Sequence, residues 1–161
     1  MTERVHNAAP AAPGLDFFAQ LSVQVGPVHE IGPTPAGNRR VIPITGGTVR
    51  GDGWTGRVLP GGADFQAIVT PSLARLDARY VLETDGGDLI YVSNQAIRVA
   101  PPAVTASLVR GEPVDPSLVY FRCVPAFETS SAALGWINER LFVGSGVRHP
   151  DRVDIACFAL R

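Results

Sequence analysis

Glycine and proline interrupt this chain at nearly regular intervals, leaving few stretches in which a long helix could form. Seventeen glycines and fourteen prolines separate short runs rich in Val, Ile, Leu and aromatic residues, the spacing of many short strands joined by turns. The pattern predicts strands over Phe17 to Val25, Arg40 to Val49, Gly56 to Leu59, Ala63 to Val69 and Leu73 to Thr84. Others follow at Leu89 to Arg98, Leu118 to Val124, Leu134 to Arg148 and Arg152 to Leu160. Gly26-Pro27, Gly46-Gly47, Gly51-Asp52-Gly53, Pro60-Gly61-Gly62, Asp85-Gly86-Gly87 and His149-Pro150-Asp151 are turns, each supplying a positive φ through glycine or a preset φ through proline. Asp85-Gly86-Gly87 is the clearest hairpin. Helix is confined to a turn or two within Pro101 to Asp115 and a helical start at Ser130 to Trp136, where Ser and Thr offer caps. An all-β antiparallel sheet of about 8–10 strands must hide its edges, and closing into a single barrel hides them completely. A sandwich is the second arrangement. Residues 1–13, with Ala-Ala-Pro-Ala-Ala-Pro, read as a flexible leader, and residues 14–161 as the barrel domain.

A chain of 161 residues can bury roughly 70% of its unfolded surface without a metal or disulfide. Fourteen basic residues, all arginine, oppose fifteen acidic ones. That balance argues against nucleic acid, which needs surplus positive charge to displace counterions. The absence of lysine excludes Schiff-base and pyridoxal-phosphate chemistry on a lysine, and a lysine-dependent phosphate loop. Cys123 and Cys157 form no C-x-x-C, and His6, His29 and His149 lie far apart, so no local zinc site is expected. Both cysteines sit in apolar surroundings and read as buried, inert thiols, and neither His6 nor His149 is an expected catalyst. No apolar run approaches the roughly 20 residues of a membrane span, and Met1 to Pro13 lacks the apolar core of a signal peptide. A cytoplasmic protein without a membrane partner is expected. With 45% apolar and 18% charged residues, one flank buried in a homo-oligomer is expected as well.

Strand side chains alternate between faces. Arg79 and Glu83 share a face with Val81; Leu89, Tyr91 and Ser93 oppose Ile90, Val92 and Asn94; Tyr120 and Arg122 oppose Phe121 and Cys123; Trp136 and Asn138 oppose Ile137 and Glu139. Most strands thus carry an apolar face and a mixed face. Either the mixed face is the outside, or part of it lines a cavity where convergent polar groups orient a small ligand. Asp64, after Pro60-Gly61-Gly62-Ala63, is either a turn residue bonded to backbone amides or a general acid or base whose carboxyl pKa is raised by burial. Glu83 and Glu128 are similar candidates, or partners in ion pairs with Arg79 or Arg122. Tyr91 and Tyr120 either pack or donate to a developing oxyanion.

The motifs Arg40 to Gly51 (Arg-Val-Ile-Pro-Ile-Thr-Gly-Gly-Thr-Val-Arg-Gly), Val58 to Gln66 (Val-Leu-Pro-Gly-Gly-Ala-Asp-Phe-Gln) and Leu76 to Thr84 (Leu-Asp-Ala-Arg-Tyr-Val-Leu-Glu-Thr) occur in order. They continue through Asp85 to Asn94, Tyr120 to Thr129 (Tyr-Phe-Arg-Cys-Val-Pro-Ala-Phe-Glu-Thr), Trp136-Ile137-Asn138 and Leu141 to Gly146. Together they resemble the family called domain of unknown function 3237, or uncharacterised protein family 0311. The resemblance implies a β-barrel of calycin-like or allene-oxide-cyclase-like type, often oligomeric. It also implies small enzymes of secondary metabolism that dehydrate, cyclise or isomerise aromatic or polyketide-like compounds without a redox cofactor. Motif positions carried over are Arg40, Asp64, Arg79, Tyr80, Glu83, Tyr91, Asn94, Arg98, Arg122, Glu128, Trp136 and Asn138. The family usually has glycine before the arginine of the Asn94 strand end, where this chain has Ile97.

The expectation is a cofactor-independent lyase or isomerase for a small carbonyl or phenol compound, with no metal. Asp64 or Glu83 moves the proton. Arg79, Arg122, Tyr91 and Asn138 hold oxygen atoms, Trp136 and Phe127 pack on the ring, and Arg40, Asn94, Tyr120 and Glu128 complete the substrate site. A non-catalytic barrel that binds a hydrophobic metabolite is the alternative, and a filled barrel used only for its surface is the third.

Overall fold

The computed structural model describes residues 9–161. Ten antiparallel strands run β1 (Leu15–Val25), β2 (His29–Thr34), β3 (Gly37–Gly51), β4 (Thr55–Val58), β5 (Ala63–Thr70), β6 (Leu73–Thr84), β7 (Leu89–Val99), β8 (Tyr120–Thr129), β9 (Phe142–Arg148) and β10 (Arg152–Leu160). One helix, α1 (Pro102–Val109), and 3-10 turns at Pro116–Leu118 and Gly135–Glu139 complete the chain. No helix among the described residues is long and apolar enough to cross a membrane. Residues 1–8 of the expected leader, with His6, lie outside the described residues; Ala9 to Pro13 are exposed and carry no regular structure.

The sheet closes on itself. From β1 the order is β10, β9, β8, β7, β6, then β4 and β5 together, then β3, which pairs back onto β1. β4 and β5 both lie between β3 and β6, so they fill one ring position and the barrel has eight. β2 extends β3 as a hairpin outside the ring. The long β3 serves two partners because it bends at Gly46-Gly47, where its register against β1 shifts. Gly47 has φ +135°, and a Cβ there would lie 2.0 Å from the Ser22 carbonyl oxygen, so a side chain would push β1 and β3 apart.

Alternation directs every second residue inward. Along β7, Ile90, Val92, Asn94 and Arg98 are buried; along β8, Phe121, Cys123, Pro125 and Phe127 are. One end of the lumen is filled by aromatic rings: Phe18 packs against Phe127 and Phe142 at centroid distances of 4.9 Å, and Trp54 and Trp136 close over it at 5.7 and 5.5 Å. The opposite end, reached by the start of β3 and the end of β7, is where the polar residues collect.

Two expectations are corrected. Leu134 to Arg148 is not one strand, because Gly135–Glu139 forms a 3-10 turn before β9. Asn138 accepts from the Thr129 amide at 2.8 Å and donates to its carbonyl at 2.9 Å, closing the end of β8 where a neighbouring strand would otherwise pair. β2 was not anticipated; it is the last strand of the sheet order, pairs with β3 alone, and its register shifts between Glu30 and Gly32, an edge position that tolerates Pro33.

The aromatic plug predicts where stability resides. Phe18→Ala is expected to cost about 3–5 kcal/mol, the range for deleting a buried ring, read as a lower urea midpoint at unchanged slope. A cost below about 1 kcal/mol, as for surface substitutions, would contradict a plug centred on Phe18.

Candidate functional site

At the other end of the lumen the inward positions stop being apolar. Arg40 of β3, Asp64 and Gln66 of β5, Asn94 and Arg98 of β7 are buried, and Tyr80 of β6 and Arg148 of β9 project among them. The break at Pro60-Gly61-Gly62 ends β4 and restarts the ring as β5 with Asp64 facing inward. Arg40 spans the mouth: its Nε donates to Glu30 Oε1 at 2.8 Å and its Nη2 to the Val109 carbonyl at 3.0 Å, tying the end of α1 to the barrel.

Within this cluster, Gln66 Nε2 donates to Asp64 Oδ2 at 2.7 Å. Asp64 Oδ1, Gln66 Oε1, Tyr80 OH, Asn94 Oδ1 and Arg98 Nη2 are all buried and have no protein partner. Each such atom costs about 1–3 kcal/mol, so a cluster of them is out of keeping with a purely structural core. All five residues line a cavity of about 40 Å³, room for about three waters. None of the ion pairs among the described residues joins Asp64 to Arg98 or Arg148. Asp64, Arg98 and Arg148 thus share one cavity without an ion pair between them.

The electrostatics follow from burial. Removal from water raises the Asp64 carboxyl pKa, against the pull of its Gln66 hydrogen bond and the Arg98 charge. Burial lowers the Arg98 guanidinium to about 10, opposed by Asp64, which leaves it charged at neutral pH. Arg148 is lowered by burial and by the like charge of Arg40. The Tyr80 phenol is pushed well up by burial, so it acts as a neutral donor. Cys123 and Cys157 are free and buried; burial raises the Cys123 thiol to about 11 and Cys157 further, in keeping with inert thiols.

Of the residues expected at the site, Asp64, Asn94, Arg40 and Phe127 project into the lumen, Phe127 within the aromatic plug. The others do not join them. Glu83 is on the outer face, bridged to Arg57 at 3.2 Å rather than to Arg79 or Arg122. Arg79 pairs with Asp77 at 3.4 Å beside the half-exposed Tyr91. Arg122 stacks over Tyr120 at 5.1 Å outside the barrel, Glu128 is exposed, Trp136 caps the plug and Asn138 closes the end of β8. The mixed strand face is therefore the outer one, because the alternation that buries Val92 and Phe121 turns Tyr91 and Arg122 outward. Tyr120 and Arg122 do border a broad outer concavity of about 920 Å³, together with Phe65, Ile97 and Phe158. It is larger than the lumen cavity, but its charged groups stand in water, where pairing is worth little. The buried polar chemistry lies in the smaller one. Ile97, at the family's glycine position, faces this outer side and leaves the lumen wall unchanged.

Gln66 and Arg148 were not among the expected site residues, and Tyr80 and Arg98 entered only through the resemblance. The signal was present: Arg98 keeps step with Ile90, Val92 and Asn94, and Gln66 with Asp64.

The family profile described as "Protein of unknown function (DUF3237)" matches residues 13–160. UPF0311 protein RPA1785 of Rhodopseudomonas palustris is 48% identical over 139 residues, covering 86% of this chain and 91% of that one. Its crystal structure superposes with a TM-score of 0.89 at 41% identity, covering 94% of this chain and 100% of that one. A beta-barrel like protein from Acinetobacter baumannii gives 0.83 at 40% identity over 95% and 99% of the two chains. A structure described as an enzyme from Penicillium herquei gives 0.71 at 20% identity over 96% and 99%, a likeness of fold alone.

A raised carboxyl pKa fixes the sign of a pH effect. Between the ordinary Asp value of 3.8 and its raised folded value, the folded chain holds the Asp64 proton more firmly than the unfolded chain, so this residue's contribution to stability falls as pH rises. Asp64→Asn removes that slope: in thermal scans from pH 4 to pH 8 its Tm is expected to gain on the wild type as pH increases. A difference that is flat, or that shrinks with pH, would mean the carboxyl is not held toward its neutral form.

Proposed function

The chain belongs to the DUF3237 family, and we propose that it is a cofactor-independent lyase or isomerase that moves a proton on a small carbonyl or phenol compound held at the polar end of its lumen. One observation carries this reading: a buried carboxyl, a phenol and a guanidinium direct unpartnered atoms at one cavity. Asp64, ionised next to Arg98 and Arg148, takes a proton from a carbon adjacent to the substrate carbonyl. The electron pair left behind moves onto the carbonyl oxygen, and Tyr80 OH, beside the positive charge of Arg98, stabilises the enolate in a dry site where such a donor acts most strongly. In an isomerisation Asp64 returns the proton to a second atom. In a dehydration it gives the proton to a departing hydroxyl, and water leaves. In either case the carboxyl ends as it began, so no cofactor enters the balance.

The likeness in fold to a protein described as an enzyme supports a barrel of this kind as a frame for chemistry. A carrier with the same lumen would hold ligands and leave their protons in place. The two readings separate in D2O. Incubation with a panel of small aryl ketones and phenols, followed by proton NMR, is expected to reveal at least one compound whose acidic C–H exchanges faster with protein than with buffer. Asp64→Asn is expected to slow that exchange by about 10²–10⁴-fold, the usual worth of a positioned acid or base. Panel members that bind without exchanging, or exchange that survives in Asp64→Asn, would overturn the catalytic reading.

A further inference from the structure

We propose that the ligand of this lumen bears a carboxylate, received between Arg98 and Arg148, with an apolar body against the Val25, Ile42, Phe121 and Val153 side chains that line the same cavity. The inference rests on the reading of the lumen as a substrate site and narrows its substrate class.

Charge is the first ground. Three guanidiniums, of Arg40, Arg98 and Arg148, lie close enough to influence one another, with Asp64 the carboxyl among them. Glu30 takes up Arg40 through its 2.8 Å bridge and Asp151, the other acid near Arg148, stands in water, which leaves two arginines facing the one carboxylate of Asp64, ionised as the proton abstraction requires. The site therefore keeps a positive excess that a single negative charge would balance. Arg98 makes this costly, since its residue is 3% exposed and its Nη2 has no protein partner. A charged donor buried in this way is stabilised chiefly by an anionic acceptor.

Size and shape are the second. The void of about 40 Å³ between these side chains has room for about three waters, the space that the carbon and two oxygens of a carboxylate head would take over. The planar fork of arginine matches the paired oxygens of a carboxylate, and Tyr80 OH lies on the same cavity as a further donor. Val25, Ile42, Phe121 and Val153 line the same cavity at the level of these polar groups, an apolar surround that suits an aliphatic or aryl body.

Calorimetric titration at constant ionic strength tests this with sodium propionate and sodium benzoate, their neutral counterparts propanol and benzyl alcohol, and sodium chloride and phosphate as inorganic anions. Benzoate is expected to bind and benzyl alcohol to bind at least about 30-fold more weakly. Arg98→Met is expected to weaken benzoate by a similar factor, the usual loss when one partner of a buried charge pair is removed. Arg148→Met gives a second variant should the first fail to fold by circular dichroism. Asp64→Asn is expected to bind benzoate at least as tightly as the wild type while losing proton exchange. Failure of this proposal is thereby separated from failure of the catalytic reading. Equal affinity for acid and alcohol, equal affinity in folded Arg98→Met and Arg148→Met, equal binding of phosphate or chloride, or no binding by any carboxylate would each overturn the carboxylate assignment.

Discussion

Closing the sheet into a ring is the constraint from which the other features follow. Once β3 pairs back onto β1, every second side chain on each strand is removed from water, and each must be apolar, be paired inside, or meet a ligand. At one end the rule is met by stacked aromatic rings. At the other it is met only in part, because Asp64 is tied to Gln66 on one oxygen while its second oxygen and four neighbouring polar atoms are left without protein partners. A chain held together by its plug can carry that cost, since native stability is a small difference between large opposing quantities. Buried polar groups that the protein itself does not satisfy are left for water or a ligand to meet.

The two ends divide the labour. Phe18, Phe127 and Phe142 meet at centroid distances of 4.8–4.9 Å and fix the barrel's cross-section, so the opposite end need not contribute to packing. There Arg40 reaches both Glu30 and the last carbonyl of α1, and the helix that follows β7 is held against the mouth by a side chain that itself belongs to the lumen. Charge placement and closure of the mouth are thus coupled through one residue.

Much of the fold was legible. β6 and β10 have the bounds the sequence gives them, and the Asp85-Gly86-Gly87 hairpin stands where glycine spacing puts it, because turn chemistry and strand alternation are local. Closure was legible only as an argument about edges. The split of one ring position into β4 and β5, and the turn at Gly135–Glu139, depend on what neighbouring strands offer, as the tie of Asn138 to Thr129 illustrates. Of the carboxylates singled out in the sequence, Asp64 faces the lumen whereas Glu83 and Glu128 lie on the outer face. Polar residues on mixed faces, such as Arg79, Glu83 and Arg122, drew attention by number, whereas those of the lumen are few on faces that are otherwise apolar: Asn94 and Arg98 after Ile90 and Val92, Asp64 and Gln66 within β5, Arg148 at the end of β9. A lone arginine in an otherwise apolar register is the stronger signal, since an arginine is rarely buried without a reason.

The most direct measurement is a high-resolution crystal structure grown without carboxylate buffers and then soaked in sodium propionate. The expected result is an ordered carboxylate within hydrogen-bond distance of Arg98 Nη2 and Tyr80 OH, with Asp64 and Arg98 still apart. Direct pairing of Asp64 with Arg98 across a closed lumen, or propionate seated only in the outer concavity by Tyr120 and Arg122, would contradict a ligand site inside the barrel.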